Sequence, residues 1–412
     1  MSEQHRSPRA AARLEADVLV AGGGAAGLTA AALFGSAGFE VICVDRETPR
    51  LDPADPGADL RTTAFLTPSV ETLRRAGAWE RLAPHAAPLR VMRLIDAGGA
   101  RNVPRRTADF VSDEVQDHPF GWNLPNTVIR RALLERIEEL PNVRLRAPAA
   151  LTRLTPRLND AVAQLSDGAQ VRARLVVAAD GRDSAARRML GLGARRWGYA
   201  QKALVFAVAH ERPHEGVSTE IHRTGGPFTL VPLPDHEGRP CSSVVWMERG
   251  PRAQALFEAP PEAFEEAVNE RSCGVLGRLR PIGRRALWPI VSQLAERLDG
   301  PRGALMGEAA HVVPPIGAQG LNMSLADAAA LADLVARAAA AGEDIGAPAL
   351  LARYHRARWP EMSARVAGID LLNRAAMAQA QPLRDLRAAG LTALHAAAPL
   401  RRLAMRLGMG AR

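Results

Sequence analysis

Lysine is nearly missing from this chain. Lys202 is the only one, so all the other members of the 53 Lys and Arg residues, and with them the net charge of +9, are arginine. Those arginines are dispersed beside acids and form no tract, which points to genome composition and away from a nucleic-acid-binding design. Cysteine is scarce too. Cys43, Cys241 and Cys273 are odd in number, far apart and without C-x-x-C spacing. That excludes a disulfide framework, leaves no zinc motif and fits a reducing cytoplasm. No run of about 18 uncharged apolar residues exists to span a membrane. The start, MSEQHRSPRAAARLEA, has no apolar core of a signal peptide, and its first dozen residues are expected to be loose. Tyr199 and Tyr354 are the only tyrosines, and neither lies in a motif that would make it a general base. No internal repeat or low-complexity segment is present.

What the chain does have is length, apolar material and one strong local pattern. With 412 residues, 47% of them hydrophobic, it is long enough for two domains with proper cores. Asp17 to Ala21 is a strand-like apolar run that feeds Gly22-Gly23-Gly24-Ala25-Ala26-Gly27, a match to G-x-G-x-x-G at Gly22, Gly24 and Gly27. In this motif the first glycine makes a turn with positive φ, the second lets a pyrophosphate approach the backbone, and the third lets helix and strand pack closely. An alanine-rich helix is predicted from Ala25 to Ala37, with its N–H groups turned toward a phosphate and Gly38 as its stop. A second apolar run, Val41 to Val44, ends on Asp45-Arg46, where Asp45 is placed to accept hydrogen bonds from an adenosine ribose. Strand, glycine loop, helix, strand and terminal acid in that order imply a dinucleotide site.

Further along, helical spacing resumes at Pro68, with Val70, Leu73, Ala76 and Trp79 on one side. Leu89 to Asp96 alternates as a strand, and Gly98-Gly99 suggests a hairpin tip. A helix is expected from Asn126 to Leu140. Val143 to Arg146, Ala150 to Leu154, Ala161 to Leu165 and Val171 to Ala173 suggest a β-meander leading into the buried run Leu175 to Ala179 and Asp180-Gly181. Period-two segments between Ala203 and Met247 predict an antiparallel sheet crossed by one helix, Pro261 to Arg271. Ala304 to Met306 returns to a short buried strand before Gly307-Glu308. Leu321 to Ala340 and Leu350 to Arg412 are helical, the last part mixing leucines with arginines.

Two chemical signals carry little weight. His210-Glu211-Arg212-Pro213-His214 matches H-E-x-x-H, but Pro213 and the strand-like Leu204 to Ala209 oppose the helix that a zinc site of this type needs. Ser184 and Ser324 lack a paired base and suit caps or turns.

The glycine loop, Asp180-Gly181 and Gly307-Glu308, together with RTTAF, FGWNLPN, AADGRDSAAR, GEAAHVVPPIGAQGLNMSL, YHRARWPEM and GIDLLNR, give the chain its family likeness. Over nearly its whole length it resembles the single-component FAD-dependent aromatic hydroxylases of the para-hydroxybenzoate hydroxylase fold, and within them the ubiquinone-biosynthesis hydroxylases. The resemblance implies a Rossmann-like α/β FAD-binding domain from residues 14–86, 123–190 and 299–370. It also implies an inserted antiparallel substrate domain from residues 87–122 and 191–298, and a helical tail over 371–412. The implied cofactor contacts are Gly22, Gly24, Ala26, Gly27, Asp45, Arg46, Arg61, Arg130, Asp180, Gly307, Glu308, Gly317, Gln319, Gly320, Leu321 and Asn322. Glu308 stands where the family usually has aspartate. For Asp180 a plain strand-end turn stays open as the alternative, and His311 suits a structural hydrogen bond as well as a catalytic one.

The implied activity is hydroxylation of the ring of a polyprenylated phenol through a flavin C4a-hydroperoxide. FAD would be non-covalent and NADPH or NADH a transient co-substrate, since no second G-x-G-x-x-G follows a strand. The alternatives are a related flavin oxidoreductase acting on another aromatic or a prenyl chain, and a non-catalytic flavin subunit of a quinone-synthesis complex. The expected location is cytoplasmic, with at most peripheral contact to the inner membrane. Subunits of a quinone-synthesis complex are candidate partners; no metal and no nucleic acid are expected.

Overall fold

The computed structural model describes residues 12–99 and 103–409. Apart from Ala12, the start that is expected to be loose falls outside that range, as do residues 100–102 and 410–412. Five strands run parallel in one sheet, in the order Gly303–Leu305, Gln170–Ala178, Arg13–Ala21, Val41–Val44 and Val143–Arg146, with Asp299–Gly300 antiparallel at one edge. The central runs Val18–Ala21, Val41–Val44 and Leu175–Ala178 are continuously apolar and buried, as strands covered on both faces are. The helix Ala25–Ser36 is buried from Gly27 to Gly35, so it needs alanine and glycine all round and not one apolar stripe. It packs on the helices Asn126–Glu138 and Gln319–Ala340.

Three sequence expectations are corrected here. Val143–Arg146 is a parallel member of the first sheet and not the start of a meander, because it pairs with Val41–Val44. Only Leu151–Pro156 and Ala161–Leu165 form an antiparallel annex beside Gln170–Ala178, which is one continuous strand. The apolar spacing after Pro68 is divided into Thr67–Arg75 and Trp79–Leu82, broken at Gly77 with φ +75°. Two helices, Gly250–Glu258 and Pro261–Arg271, cross the second sheet where one was expected, and Pro260 lies between them.

That second sheet has eight strands in the order His311–Val312, Leu279–Ala295, Ala194–His210, Arg239–Arg249, Pro227–His236, Val217–His222, Val91–Asp96 and Arg106–Val111. It is antiparallel except between Val217–His222 and Val91–Asp96. Those two strands are joined by a long excursion through the first sheet, which frees them from hairpin geometry. A separate three-stranded sheet, Thr62–Leu66, Gly121–Pro125 and Ala87–Leu89, packs against Pro227–His236 of the second sheet and against the helices Asn126–Glu138 and Gln319–Ala340. The chain then closes with the helices Pro348–Ala376, Gln381–Ala396 and Ala398–Met409.

Candidate functional site

Parallel register brings the motifs to one edge. Ala21 lies beside Val44 and Ala178, and Ala178 beside Leu305, so the residues that follow each strand emerge together. Backbone bonds continue the staircase past the strands: Gly22 N–H to Val44 O at 2.7 Å, Ala179 N–H to Ala21 O at 2.7 Å and Met306 N–H to Ala178 O at 3.0 Å. In open α/β sheets this carboxyl edge is where ligands bind. Two glycines of the first loop are required by space. Gly22 has φ +114°, and a Cβ there would meet Ala179 O at 2.2 Å; a Cβ on Gly27 would meet Gly22 O at 1.9 Å. Gly24 differs, because a Cβ on it would meet nothing within 4 Å, so it opens onto free space at the start of the helix.

The ionic side chains near this opening are only partly satisfied. Asp45 Oδ2 accepts the Gly23 N–H at 2.6 Å and lies 3.9 Å from Arg130 Nη2. Arg130 Nε is buried without a hydrogen-bond partner. Arg46 is exposed, with its Nε 3.4 Å from Glu47. Cys43, below them, donates to Gly22 O at 3.7 Å, and burial followed by the Asp45 charge pushes its thiol up to about 12. It is therefore no thiolate at neutral pH. An electropositive helix end, an open glycine and an unpartnered guanidinium Nε suit a ligand bearing phosphates and hydroxyls.

The other motifs converge on the same edge. A Cβ on Gly307 would lie 3.5 Å from the Cβ of Ala26, which joins the last glycine motif to the first. Glu308 is exposed and acts on Arg61 through its charge. Arg61 is forked onto Asp59 at 2.8 and 2.7 Å and stacks 4.7 Å from the Trp288 ring centroid. Burial would raise the Asp59 carboxyl, but the Arg61 fork outweighs it and holds Asp59 below its ordinary value. Gly317, at φ +61°, and Ala318, at +57°, turn the chain into the helix that begins Gln319-Gly320-Leu321-Asn322. Asn322 spends its amide on backbone, accepting from Leu66 N–H at 2.9 Å and donating to Ala64 O and Ala318 O. Asp180 accepts from Ser184 Oγ and from Ala186 N–H at 3.0 Å, so in this structure it shapes the strand-end turn.

Sequence reasoning missed the group that braces the Gly307 turn. Asp327 is fully buried; it accepts from Gly307 N–H at 3.2 Å, bonds His311 Nε2 at 2.8 Å and accepts from Arg358 Nε at 2.9 Å. Burial alone would raise this carboxyl, yet His311 and Arg358 hold it below the ordinary value. The YHRARWPEM segment that supplies Arg358 was visible as a motif but carried no role. Asp59 and Trp288 belong to no motif, and only their contacts with Arg61 reveal them.

A wall of the second sheet faces this edge. Thr62 Oγ1 meets Ser243 Oγ at 2.8 Å, which fixes the orientation of the strand Arg239–Arg249. Alternation then places Val245 and Met247 on the same face as Ser243. Register sets Val205 and Thr229 beside Val245, and Ala203 beside Met247 and Trp288. Val245, Thr229 and Trp288 are only half-buried. At His210 the chain is the end of a strand, with Nδ1 2.7 Å from Arg212 O and Nε2 3.0 Å from Ser242 Oγ; the helix required by H-E-x-x-H does not form.

A family model described as FAD binding domain matches residues 15–367. Ubiquinone hydroxylase UbiL of Rhodospirillum rubrum is 38% identical over 395 residues, covering 96% of this chain and 90% of the relative. The 3-demethoxyubiquinol 3-hydroxylase of Escherichia coli is 29% identical over 395 residues, covering 96% and 98%. Among solved structures, p-nitrophenol 4-monooxygenase PnpA from Pseudomonas putida has a TM-score of 0.77 at 19% identity, covering 96% of this chain and 97% of its own, a likeness of fold. With an FAD-binding model spanning most of the sequence and a hydroxylase relative along almost all of it, the chain belongs to the FAD-dependent aromatic hydroxylase family of monooxygenases.

Proposed function

We propose that this protein hydroxylates the aromatic ring of a prenylated phenolic precursor of ubiquinone, with FAD held non-covalently and NADPH or NADH as transient electron donor. The similarity to a ubiquinone hydroxylase across 96% of the chain carries the reading. The half-buried apolar wall of Val245, Thr229 and Trp288 suits an aromatic ring with an apolar tail. FAD supplies the redox chemistry and oxygen activation. The protein's part is to bind, orient and exclude water. Gly22, Gly24, Ala26, Gly27, Asp45, Arg46 and Arg130 hold the adenosine and phosphate end. Arg61, Asp180, Gly307, Glu308 and the Gly317 to Asn322 turn flank the flavin end. Residues 14–86, 123–190 and 299–370 form the FAD-binding part in this reading, residues 87–122 and 191–298 the substrate part, and 371–412 the tail. An apolar substrate places the work at the cytoplasmic face of a membrane, by peripheral contact, beside other quinone-synthesis subunits. None of the helices among the described residues is long and apolar enough to cross a membrane.

The test is NADPH oxidation by the purified protein with and without a prenylated phenol, following O2 and product mass. A product heavier by one oxygen atom is expected; saturation chemistry without O2 use would overturn the reading. For the site, Asp45→Ala should weaken FAD binding by about 1.5–3 kcal/mol through loss of charge-assisted hydrogen bonds. Equal affinity in titrations of variant and parent would remove Asp45 from it.

A further inference from the structure

We infer that the helices Gln381–Ala396 and Ala398–Met409 form a docking surface for an anionic lipid bilayer, and that this surface is hydrogen-bonded to the loop Gly317–Gln319, so that docking and FAD binding influence each other. The inference rests on the proposed apolar substrate for its purpose, but not for its observations.

Of the nine large hydrophobic side chains exposed among the described residues, seven lie between Leu371 and Leu407. Leu383, Leu386, Leu400, Leu403 and Leu407 are each more than half exposed. Leu400, Leu403 and Leu407 recur at helical spacing on one face of the last helix. The opposite face is spent on the protein itself: Met405 and Met409 are buried with Phe110 and Phe120. The helix is therefore anchored on one side and apolar on the other. Exposure of this kind marks an interaction surface.

Charge selects the occupant. From Pro382 to Met409 the charged residues are five arginines and Asp385. Asp385 is engaged by Arg105 at 2.6 Å, while Arg387 and Arg401 reach across to Asp96 and Glu114 on the second sheet side. Arg402 and Arg406 are exposed, Arg406 beside Asp113, Glu114 and Asp117. Exposed leucines in a segment with five arginines against one acid match the acyl boundary and headgroups of an anionic bilayer.

The link to the site is a chain of named bonds. Gln319 Nε2 donates to Gly317 O and to Gly408 O, both at 2.9 Å. Arg365 Nη1 donates to Gln319 Oε1 at 2.9 Å and to Leu407 O at 3.5 Å, and its Nε donates to Glu361 at 3.1 Å. Glu361 accepts from Arg358 at 2.8 Å, and Arg358 holds Asp327 beneath Gly307. Arg365 is thus a positioning residue between the lipid-facing helix and both flavin-flanking turns. Coupling of this kind is reciprocal.

The experiment uses the full chain and vesicles of zwitterionic lipid with and without an anionic component. The parent should float with anionic vesicles, and Leu400→Ser/Leu403→Ser/Leu407→Ser should lower co-flotation at least about tenfold while binding FAD normally without vesicles. Anionic vesicles should shift the FAD dissociation constant of the parent about fivefold or more, and FAD should shift vesicle affinity by the same factor. Arg365→Ala should still float but lose that shift, as should the leucine variant. A parent that does not float, or a leucine variant that floats like it, overturns the docking surface. So does a parent dimer that the leucine variant dissociates while vesicle binding stays nil, since a second copy would then be the occupant. An undiminished shift in Arg365→Ala overturns the link. No phenol enters these measurements, so a protein that docks but hydroxylates another aromatic defeats the proposed function alone.

Discussion

Arginine and small or apolar residues build both the carboxyl edge of the first sheet and the terminal helices, yet they are used in opposite ways. At the edge, Arg61 is forked to Asp59, Arg358 is locked on Asp327, and glycines stand where a methyl group would strike backbone. In the terminal helices, Arg402 and Arg406 are exposed and leucines stand in water. The difference teaches that residue type alone does not separate a site from a surface. What separates them is whether each polar atom and each Cβ position already has a neighbour.

The sharpest way to break the contrast is at the glycines. Gly27→Ala forces a Cβ to within 1.9 Å of Gly22 O and should cost at least about 3 kcal/mol, read as loss of soluble folded protein. Gly24→Val meets no protein atom and should leave the fold intact while abolishing bound flavin. Flavin content equal to the parent's would show that the open space at Gly24 is not part of the pocket.

Asp327→Asn comes next, at about 3–5 kcal/mol in urea unfolding near neutral pH, because Arg358 loses its buried counter-charge. The pH dependence has a defined sign. A carboxyl held below its ordinary value stabilises the fold fully above about pH 4 and loses that contribution as pH falls through its lowered folded value. The gap between parent and variant should therefore narrow in acid. A gap that stays constant down to acid unfolding would mean that Asp327 contributes by shape and not by charge.

The smallest effects belong to the terminal helices. Leu386→Ser, on an exposed side chain, should change stability by no more than about 0.5 kcal/mol. Leu391→Ala should cost about 1 kcal/mol, since Leu391 packs against the Phe110 and Met405 cluster. Equal thermal shifts in the two variants would erase the distinction between the free and the anchored parts of this segment.

Much of the carboxyl edge of the first sheet was legible because a local pattern demanded it. Gly22 and Gly27 are dictated by backbone contacts, and the order of strand, loop, helix and acid is written within one short stretch. Val143–Arg146 was misplaced because a short apolar strand looks the same in a meander and in a parallel sheet, and only its partner, Val41–Val44, decides. Asp327 was invisible for a related reason. An acid on a helical face is ordinarily solvated, and its burial arises only when His311 and Arg358 arrive from distant elements. For Asp180 the sequence leaves both an acid beside a cofactor and a strand-end turn open, and its contacts with Ser184 and Ala186 form the turn.

The place of Gly303–Leu305 in the first sheet has a consequence for how the protein comes into being. This late strand lies against Gln170–Ala178, which in turn lies against Arg13–Ala21, so the edge joins segments far apart in the sequence. An emerging polypeptide makes the first glycine loop early but acquires Gly307 and the Gln319 turn much later. Until then, the apolar run Val176–Ala178 lacks one flank, and the helix Ala25–Ser36 lacks the long helix Gln319–Ala340 that packs on it. A topology with such distant partners folds slowly and exposes sticky edges while it waits. The FAD site of the proposed function, which takes groups from each of these segments, is accordingly complete only once Gly307 and the Gln319 turn have been made.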